Sequence, residues 1–581
     1  VGVEFLQANM TAGELAPTLH SRTDITKYQN GVAEATNMII LPHGGMRRRP
    51  GLAKITESKI NSKGRLIPFI FNADQSYLVV LRNLTVDIYN NGVLVSQEVT
   101  TFTEAQLYEV DFVQSADTML FTHHSQPTKI LQRTGSHTSW SFSNVSFTNA
   151  PATWGPTDGY PSCCTFFGGR LYLAGSTAKP TSIWGSKVNA FFDFDLGTGQ
   201  DDYGIADILD TDQYNKIESL FSGRDLQVFT VGEELYNTST PITPTKSAWK
   251  RQTGYGSTRI RPILIDGATL FVDSSSRTIR QFLFDYTEDS YVSINASLLS
   301  SHLITDVVAM DAIKGTQYDV GDYVYIVNAD GTVAVLNTMR HEEITGWTHW
   351  ETDGTFEDVC VINKEVFFLV RRESEYFIER LEEGTYTDHN VTVDGTEPTS
   401  YNVIHTGNNV IHDGENIIFT DFSTGSPISE VVTDYDAALL NTTFKVVADF
   451  SIMDDATPTG IADDNSFTIS RDAYRMEVGL NFFTKVVTLP IATETRSGTT
   501  LFRRKRVVKV DINVIESLGI YARNRFVADR SFTVVLDRAP VPFTGFKEMY
   551  LLGYDRLAEI EISQKEPLPF ILRSLGFEIE Y

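Results

Sequence analysis

Short apolar runs closed by polar turns recur along most of this chain, and long amphipathic helical patterns are almost absent. Val, Ile, Phe, Tyr and Thr fill the runs, while Gly, Asn, Asp and Ser separate them, the pattern of β-strands and tight turns. One theme returns: apolar residues, a polar turn, a strongly apolar strand, another turn, then a further strand. It stands at Phe69-Ile70-Phe71 to Tyr89, at Phe112 to Leu131, and at Phe166-Phe167-Gly168-Gly169-Arg170-Leu171-Tyr172-Leu173. It stands again at Leu220-Phe221-Ser222-Gly223 to Tyr236 and at Ile263-Leu264-Ile265-Asp266-Gly267 to Phe284. The later copies are Tyr323-Val324-Tyr325-Ile326 to Leu336 and Val361-Ile362-Asn363 to Leu381.

Successive copies begin roughly 40–60 residues apart, near the blade period of β-propellers. One blade cannot bury both of its faces, so neighbouring blades share cores. The expected fold is all-β: a degenerate β-propeller-like platform over residues 69–383, with an additional β-rich tip. The copies are too uneven to count blades, and a string of β-sandwiches is the competing arrangement. After residue 384 the rhythm changes. The stretch 384–500 is rich in Asp, Thr, Asn and Gly and reads as the tip, with acidic knots at Asp454-Asp455 and Asp463-Asp464. Residues 501–581 return to long alternating strands that complete the platform or the tip, and residues 1–68 read as an interface-forming segment. A helix is expected only around Asp24 to Asn37.

A length of 581 residues suggests roughly two to four domains. With 41% hydrophobic and 21% charged residues, the composition is that of a folded chain. No apolar run reaches the roughly 18–20 residues of a membrane helix, and the first residues carry no signal-peptide pattern. Cys163, Cys164 and Cys360 show no zinc spacing, and adjacent Cys163 and Cys164 would pair only with strain, so buried thiols are expected. His123-His124 lies outside any His-Glu-x-x-His pattern. No Gly-x-Ser-x-Gly elbow, phosphate loop or isolated carboxylate pair stands out, so neither catalytic residues nor a cofactor or metal are expected.

The opening segment is the most specific feature. Phe5 leads to Ala12-Gly13-Glu14-Leu15-Ala16-Pro17, then Arg22, Asp24, Lys27-Tyr28, Gly31 and Asn37, and Pro42-His43-Gly44-Gly45 and Arg47-Arg48-Arg49-Pro50-Gly51 close it. Further along stand Arg170-Leu171-Tyr172, Ile183-Trp184-Gly185-Ser186, Gln252-Thr253-Gly254-Tyr255-Gly256-Ser257, Val478-Gly479-Leu480-Asn481-Phe482 and Gln564-Lys565-Glu566-Pro567-Leu568-Pro569. In this order they resemble the nozzle proteins of short-tailed bacteriophages, also called tail tubular protein B or tail stabilisation protein. The resemblance implies a virion protein assembled in the host cytoplasm as a ring of six copies. Such a ring lies below the adaptor (tail tubular protein A), forms a channel for double-stranded DNA, and docks tail fibres or spikes near the host cell surface. A tail-associated adhesin or polysaccharide-degrading tail enzyme is the alternative, which a long parallel β-helix repeat would favour.

The net charge of -26 fits a conduit. It lacks the concentrated basic face that grips phosphates, and a channel through which DNA slides should repel them. Within this reading Arg47, Arg48 and Arg49, held between Gly44-Gly45 and Pro50-Gly51, are expected to meet carboxylates of a neighbouring subunit or the adaptor. Arg503, Arg504, Lys505 and Arg506, with Asp454, Asp455, Asp463 and Asp464, are the candidate channel-lining residues. Asp201-Asp202, Asp207, Asp210 and Asp212 read as an exposed acidic loop, since their spacing is not that of an EF-hand. Trp347 and Trp350 read as core.

Overall fold

In a computed structural model the described residues are 3–210, 213–315, 321–394, 443–453, 475–492, 494–495, 498–501, 503–529 and 540–580, with the strand segments 410–412, 417–419, 431–432 and 466–467. Among them the helical elements are five short 3-10 turns, and the rest of the regular structure is strand.

The recurring theme is a propeller blade. Five consecutive antiparallel four-stranded sheets run Gly64–Ile70 to Val93–Val99, Asp111–Ser115 to Trp140–Asn144, Cys163–Phe167 to Ile205–Ile208, Ile217–Ser222 to Trp249–Thr253, and Ile263–Ile265 to Ser290–Asn295, and a sixth blade of four strands, Val307–Lys314 to Ile344–Trp350, begins a longer sheet. The seventh contains Thr355–Ile362, Glu365–Arg372 and Glu375–Glu382. Its outer strand comes from the other side of the platform, where Gly51–Ile60 pairs antiparallel with Glu375–Glu382, Gly51 opposite Glu382 and Ile60 opposite Tyr376. The first and last blades are thus joined by continuous chain as well as by packing. The platform is a β-propeller of seven blades among the described residues.

Period-two alternation sends successive side chains to opposite faces of each blade, and each face packs on a different neighbour. Phe69 and Ile88 of blade one meet Phe121 and Leu131 of blade two. Phe229 and Tyr236 of blade four meet Phe271 and Phe282 of blade five. Leu66 and Val80 of blade one meet Cys360 and Leu369 of blade seven, which closes the ring. Near the axis, carboxylates staple adjacent inner strands. Asp111 accepts the Cys164 N–H at 2.9 Å, Asp311 the Val361 N–H at 2.7 Å, and Asp358 the Leu66 N–H at 2.6 Å. Trp347 and Trp350, three apart on one strand, point to opposite faces and fill the cores on either side of blade six.

A second body grows from the outer strands of blades six and seven. Beyond Ile344–Trp350 the sheet continues through Gly13–Glu14, Gly31–Thr36, Thr484–Thr488, Glu561–Gln564, Ile520–Ala522 and Arg525–Phe526. A six-stranded sheet of Val3–Gln7, Met38–Ile40, Met46–Arg48, Arg506–Ser517, Phe543–Tyr550 and Ile571–Glu580 packs on it. Val32, Val486 and Ile562 from one sheet and Val510, Ile512, Leu575 and Phe577 from the other form the sandwich core. Beyond Gly51–Ile60, blade seven continues into Asp388–Asp394, Arg475–Leu480, Lys445–Ala448 and Ser451–Ile452.

These pairings bear on three expectations. The limit at residue 68 falls inside Gly64–Ile70, and Gly51–Ile60 belongs to the propeller. Residues 501–581 share a sheet with the stretch before them, since Thr484–Thr488 pairs with Glu561–Gln564. The segment around Asp24 to Asn37 is a 3-10 turn, Thr26–Asn30, followed by the strand Gly31–Thr36. That strand lies between Gly13–Glu14 and Thr484–Thr488, where ladder pairing on both sides overrides local preference.

Candidate functional site: an arginine hub between propeller and sandwich

Arg47, Arg48 and Arg49 leave the edge of the sandwich just before the chain enters blade seven. Alternation along Met46–Arg48 sends Arg47 and Arg48 to opposite sides. Arg47, half-buried, forms a fork with Glu383, Nη1 and Nη2 donating at 2.6 Å each. Arg48 is buried on the Phe482 ring, its guanidinium carbon 4.0 Å from the centroid. It donates to Gln564 Oε1 at 2.9 Å and to the carbonyls of Phe482 and Tyr386 at 2.6 and 3.0 Å. With no carboxylate fork of its own, Arg48 is pushed down to about 9 by burial and by neighbouring Arg49.

Arg49 is fully buried, 0% exposed. It forms a fork with Asp388 at 2.7 and 2.6 Å and donates to Asn37 Oδ1 at 3.0 Å and to the Glu351 carbonyl at 3.0 Å. It packs on the other guanidinium's aromatic partner, 3.6 Å from the Phe482 centroid. Asp388 also accepts the Thr352 hydroxyl at 2.7 Å. Alongside, buried Arg372 forks onto Glu379 at 2.7 Å through both Nε and Nη2. Burial works against the Glu379 charge, but Arg372 holds the carboxyl down at about 2. His389, 2.8 Å from Glu379, is kept below its ordinary value by burial.

The hub therefore corrects the expectation for Arg47, Arg48 and Arg49. The carboxylates come from the same chain, at Glu383 and Asp388, and the guanidiniums of Arg48 and Arg49 are spent inside the molecule. A double change at Arg47 and Arg49 strikes the fold itself. Extended strands presented these side chains as foreseen, but to the propeller rather than to a neighbour.

The second basic run divides. Arg503 and Arg504 are exposed and Arg506 is half-buried at the start of Arg506–Ser517. Lys505 is 1% exposed, and its ammonium donates to the carbonyls of Ile491 and Thr500. Burial lowers its pKa, and it is removed from the channel-lining candidates. Asp454, Asp455, Asp463 and Asp464 lie outside the described residues, as does Asp212 of the other acidic loop. Asp207 is not in a loop but in the strand Ile205–Ile208, where it accepts the Trp249 indole N–H at 3.0 Å.

Two clusters escaped the sequence. Glu14, buried, accepts the Ala35 N–H at 2.8 Å and lies 2.8 Å from His302 Nε2 and 2.9 Å from His349 Nδ1. Burial opposes ionisation, yet bonds from His302 and His349 bring Glu14 to about 2, and bonds to Glu14 and Glu351 lift His349 against its own burial to about 10. Glu14 was visible in the opening motif, but its partners are more than 280 residues away. The other cluster is Glu109, His123 and His124, the metal-like group among the described residues. His123 Nε2 is 3.0 Å from Glu109, while its Nδ1 faces the Ser125 N–H at 3.2 Å and so acts as an acceptor. A metal on Nε2 would need the proton on Nδ1, against that N–H, so the arrangement favours a hydrogen-bonded His–Glu pair.

No family model and no curated protein matches this chain. Solved structures with similar shape include the WD40 domain of Neurospora crassa Pan2, at 9% identity and TM-score 0.36 over 55% of this chain and 90% of that one. The RRP9 WD40 repeats align at 10% identity and TM-score 0.39, over 58% and 99%. YCF48 bound to D1 peptide aligns at 14% identity and TM-score 0.34, over 56% and 93%. The seven-blade count comes from the strand pairing itself.

Proposed function

We propose that this protein is a structural component of a short phage tail, a nozzle subunit that forms a ring of six around the path of double-stranded DNA. The observation that carries the reading is the convergence of the residues on which the family resemblance rests. Asn37, Arg48, Arg49 and Pro50 from the opening motif meet Phe482 and Gln564 from the distant motifs in one buried hub. Three of the matched stretches, as much as 516 positions apart, thus meet in one structural unit, while those around Arg170, Ile183 and Gln252 lie in blades three and four.

In this reading DNA passes between copies and not through a propeller. Arg259, entering blade five, reaches across the axis to the carbonyls of Glu109 at 3.0 Å and Ser162, beside blades two and three. Six chains at -26 each would give the ring a strongly negative field, consistent with sliding rather than capture. The test is electron cryo-microscopy of the purified full chain and of particles containing it. A six-fold ring with an axial hole is expected. A protein that stays monomeric at high concentration and is absent from tails would overturn the proposal.

A further inference from the structure

The propeller axis holds a cavity of about 720 Å³. Its rim includes exposed Ile70 and Leu264, so it communicates with solvent, and its volume lies in the range of small-molecule sites.

Two guanidiniums inside it share one aromatic ring. Arg261 stands 4.3 Å and Arg65 5.6 Å from the centroid of buried Phe112. Arg261 donates from Nη1 to the Phe112 carbonyl at 2.9 Å, and Arg65 from Nη1 to the carbonyls of Leu107 and Val110. The Nε and Nη2 groups of both find no acceptor among the described residues, and neither side chain forms a carboxylate fork. Both arginines are among the residues that line the cavity.

Glu109 also lines the cavity, and the carboxylates beside the arginines already accept backbone N–H groups, Asp111 those of Phe112 and Cys164, both at 2.9 Å. Asp358 accepts the backbone N–H groups of Leu66 and Val359, at 2.6 and 2.9 Å, and Asp311 those of Val361 and Ala312, at 2.7 and 2.8 Å. Burial pushes Asp358 up to about 7 and Asp311 to about 6. Burial depresses Arg65, although Asp358 and Asp111 act in the opposite direction. Apolar walls, among them Phe221 and Met310, complete the chamber.

We propose that the axial cavity binds a small oxyanion carrying a short apolar body, its charged head on Arg65 and Arg261 and its body against the apolar wall. Guanidinium forks match the geometry of such a head, and the partial desolvation of the site strengthens the pairing. The chemistry is independent of the nozzle reading and stands or falls separately.

The probe is hexanoate, titrated calorimetrically into the full chain at pH 7, with hexanol and inorganic phosphate as controls. Saturable one-to-one binding of hexanoate is expected, at least tenfold tighter than hexanol or phosphate. Arg261→Gln is expected to weaken hexanoate at least tenfold while leaving the thermal midpoint of the free protein unchanged. Equal binding of hexanol removes the role of the arginines, and equal binding of phosphate removes the role of the apolar wall. Absence of saturable hexanoate binding overturns the proposal. If Arg261→Gln does not fold, the comparison of hexanoate with hexanol on the unaltered chain decides.

Discussion

Replacing Arg49 by Ala is predicted to unlatch the sandwich from the propeller without dismantling the blades. Arg49 is fully buried and carries a bidentate bond to Asp388, a bond to Asn37 and another to the Glu351 carbonyl. Its removal leaves Asp388 with the Thr352 hydroxyl and without its guanidinium fork, Arg48 and Arg372 acting on it only through space. Breaking a buried pair by removing one partner costs roughly 3–5 kcal/mol. At about 1.4 kcal/mol per tenfold, local opening should rise roughly a hundredfold to a few thousandfold. The cost falls on one junction, so a single global unfolding energy is the wrong readout for a chain of this size. Amide hydrogen exchange resolves it. Strands Gly31–Thr36 and Thr484–Thr488 should exchange faster in Arg49→Ala, while Leu226–Thr230 and Ala268–Val272, several blades away, keep their protection. Replacing both charges, Arg49→Met with Asp388→Leu, should recover most of the loss, because the uncompensated carboxylate is gone. Exchange rates in Arg49→Ala within fivefold of the unaltered protein at every strand would refute the reasoning.

The histidine latch should make the junction pH-dependent. The His349 contribution, raised from 6.5 to about 10, is full below pH 6.5 and lost as pH climbs through 10, while that of Glu14, lowered from 4.5 to about 2, is lost as pH falls toward 2. The gap in thermal midpoint between the protein and His349→Gln should therefore narrow between pH 6 and pH 10, and a constant gap would contradict the assignment. Gly13→Ala should destabilise by more than about 1 kcal/mol, because Gly13 has φ +66 and an added Cβ would lie 2.3 Å from the Trp347 carbonyl oxygen. Amide exchange of Gly31–Thr36 and Ile344–Trp350, the strands beside Gly13, measures this. Burial pushes the thiols of Cys163, Cys164 and Cys360 up, so none should react with a thiol reagent before unfolding. Rapid labelling of any one in the native protein would show that its blade interface is open.

Strand class was legible because it is local. Each copy of the apolar theme, from Phe69 through Val361, falls within one blade, and the turn residues between runs fall between its strands. Pairing was less legible where partners are remote. Nothing near Gly51–Ile60 announces that it completes the blade of Glu375–Glu382, since edge strands choose partners by topology and not by composition. The hub shows the same division. Three consecutive arginines between two turns marked an oriented cluster, yet Asp388, its decisive partner, sits in a stretch that reads as the start of a loop-rich tip. Arg503 to Arg506 misled for a different reason: a basic run suggests a shared environment, but burial alternates abruptly there, and only Lys505 is sealed against backbone carbonyls.

The pairing of Val3 with Ile579 bears on how the chain is made. Strand Ile571–Glu580 stands inside the six-stranded sheet, with Arg506–Ser517 on one side and Met46–Arg48 and Val3–Gln7 on the other. At the ribosome's pace the strand Val3–Gln7 emerges roughly half a minute to two minutes before its partner. During that interval it has no ladder, and the blades can assemble one by one while the sandwich waits. A chain released early would carry a nearly complete ring of blades and a set of unsatisfied edges, a species suited to capture by chaperones and proteases rather than to assembly. Closure of the six-stranded sheet thus waits on synthesis of Ile571–Glu580.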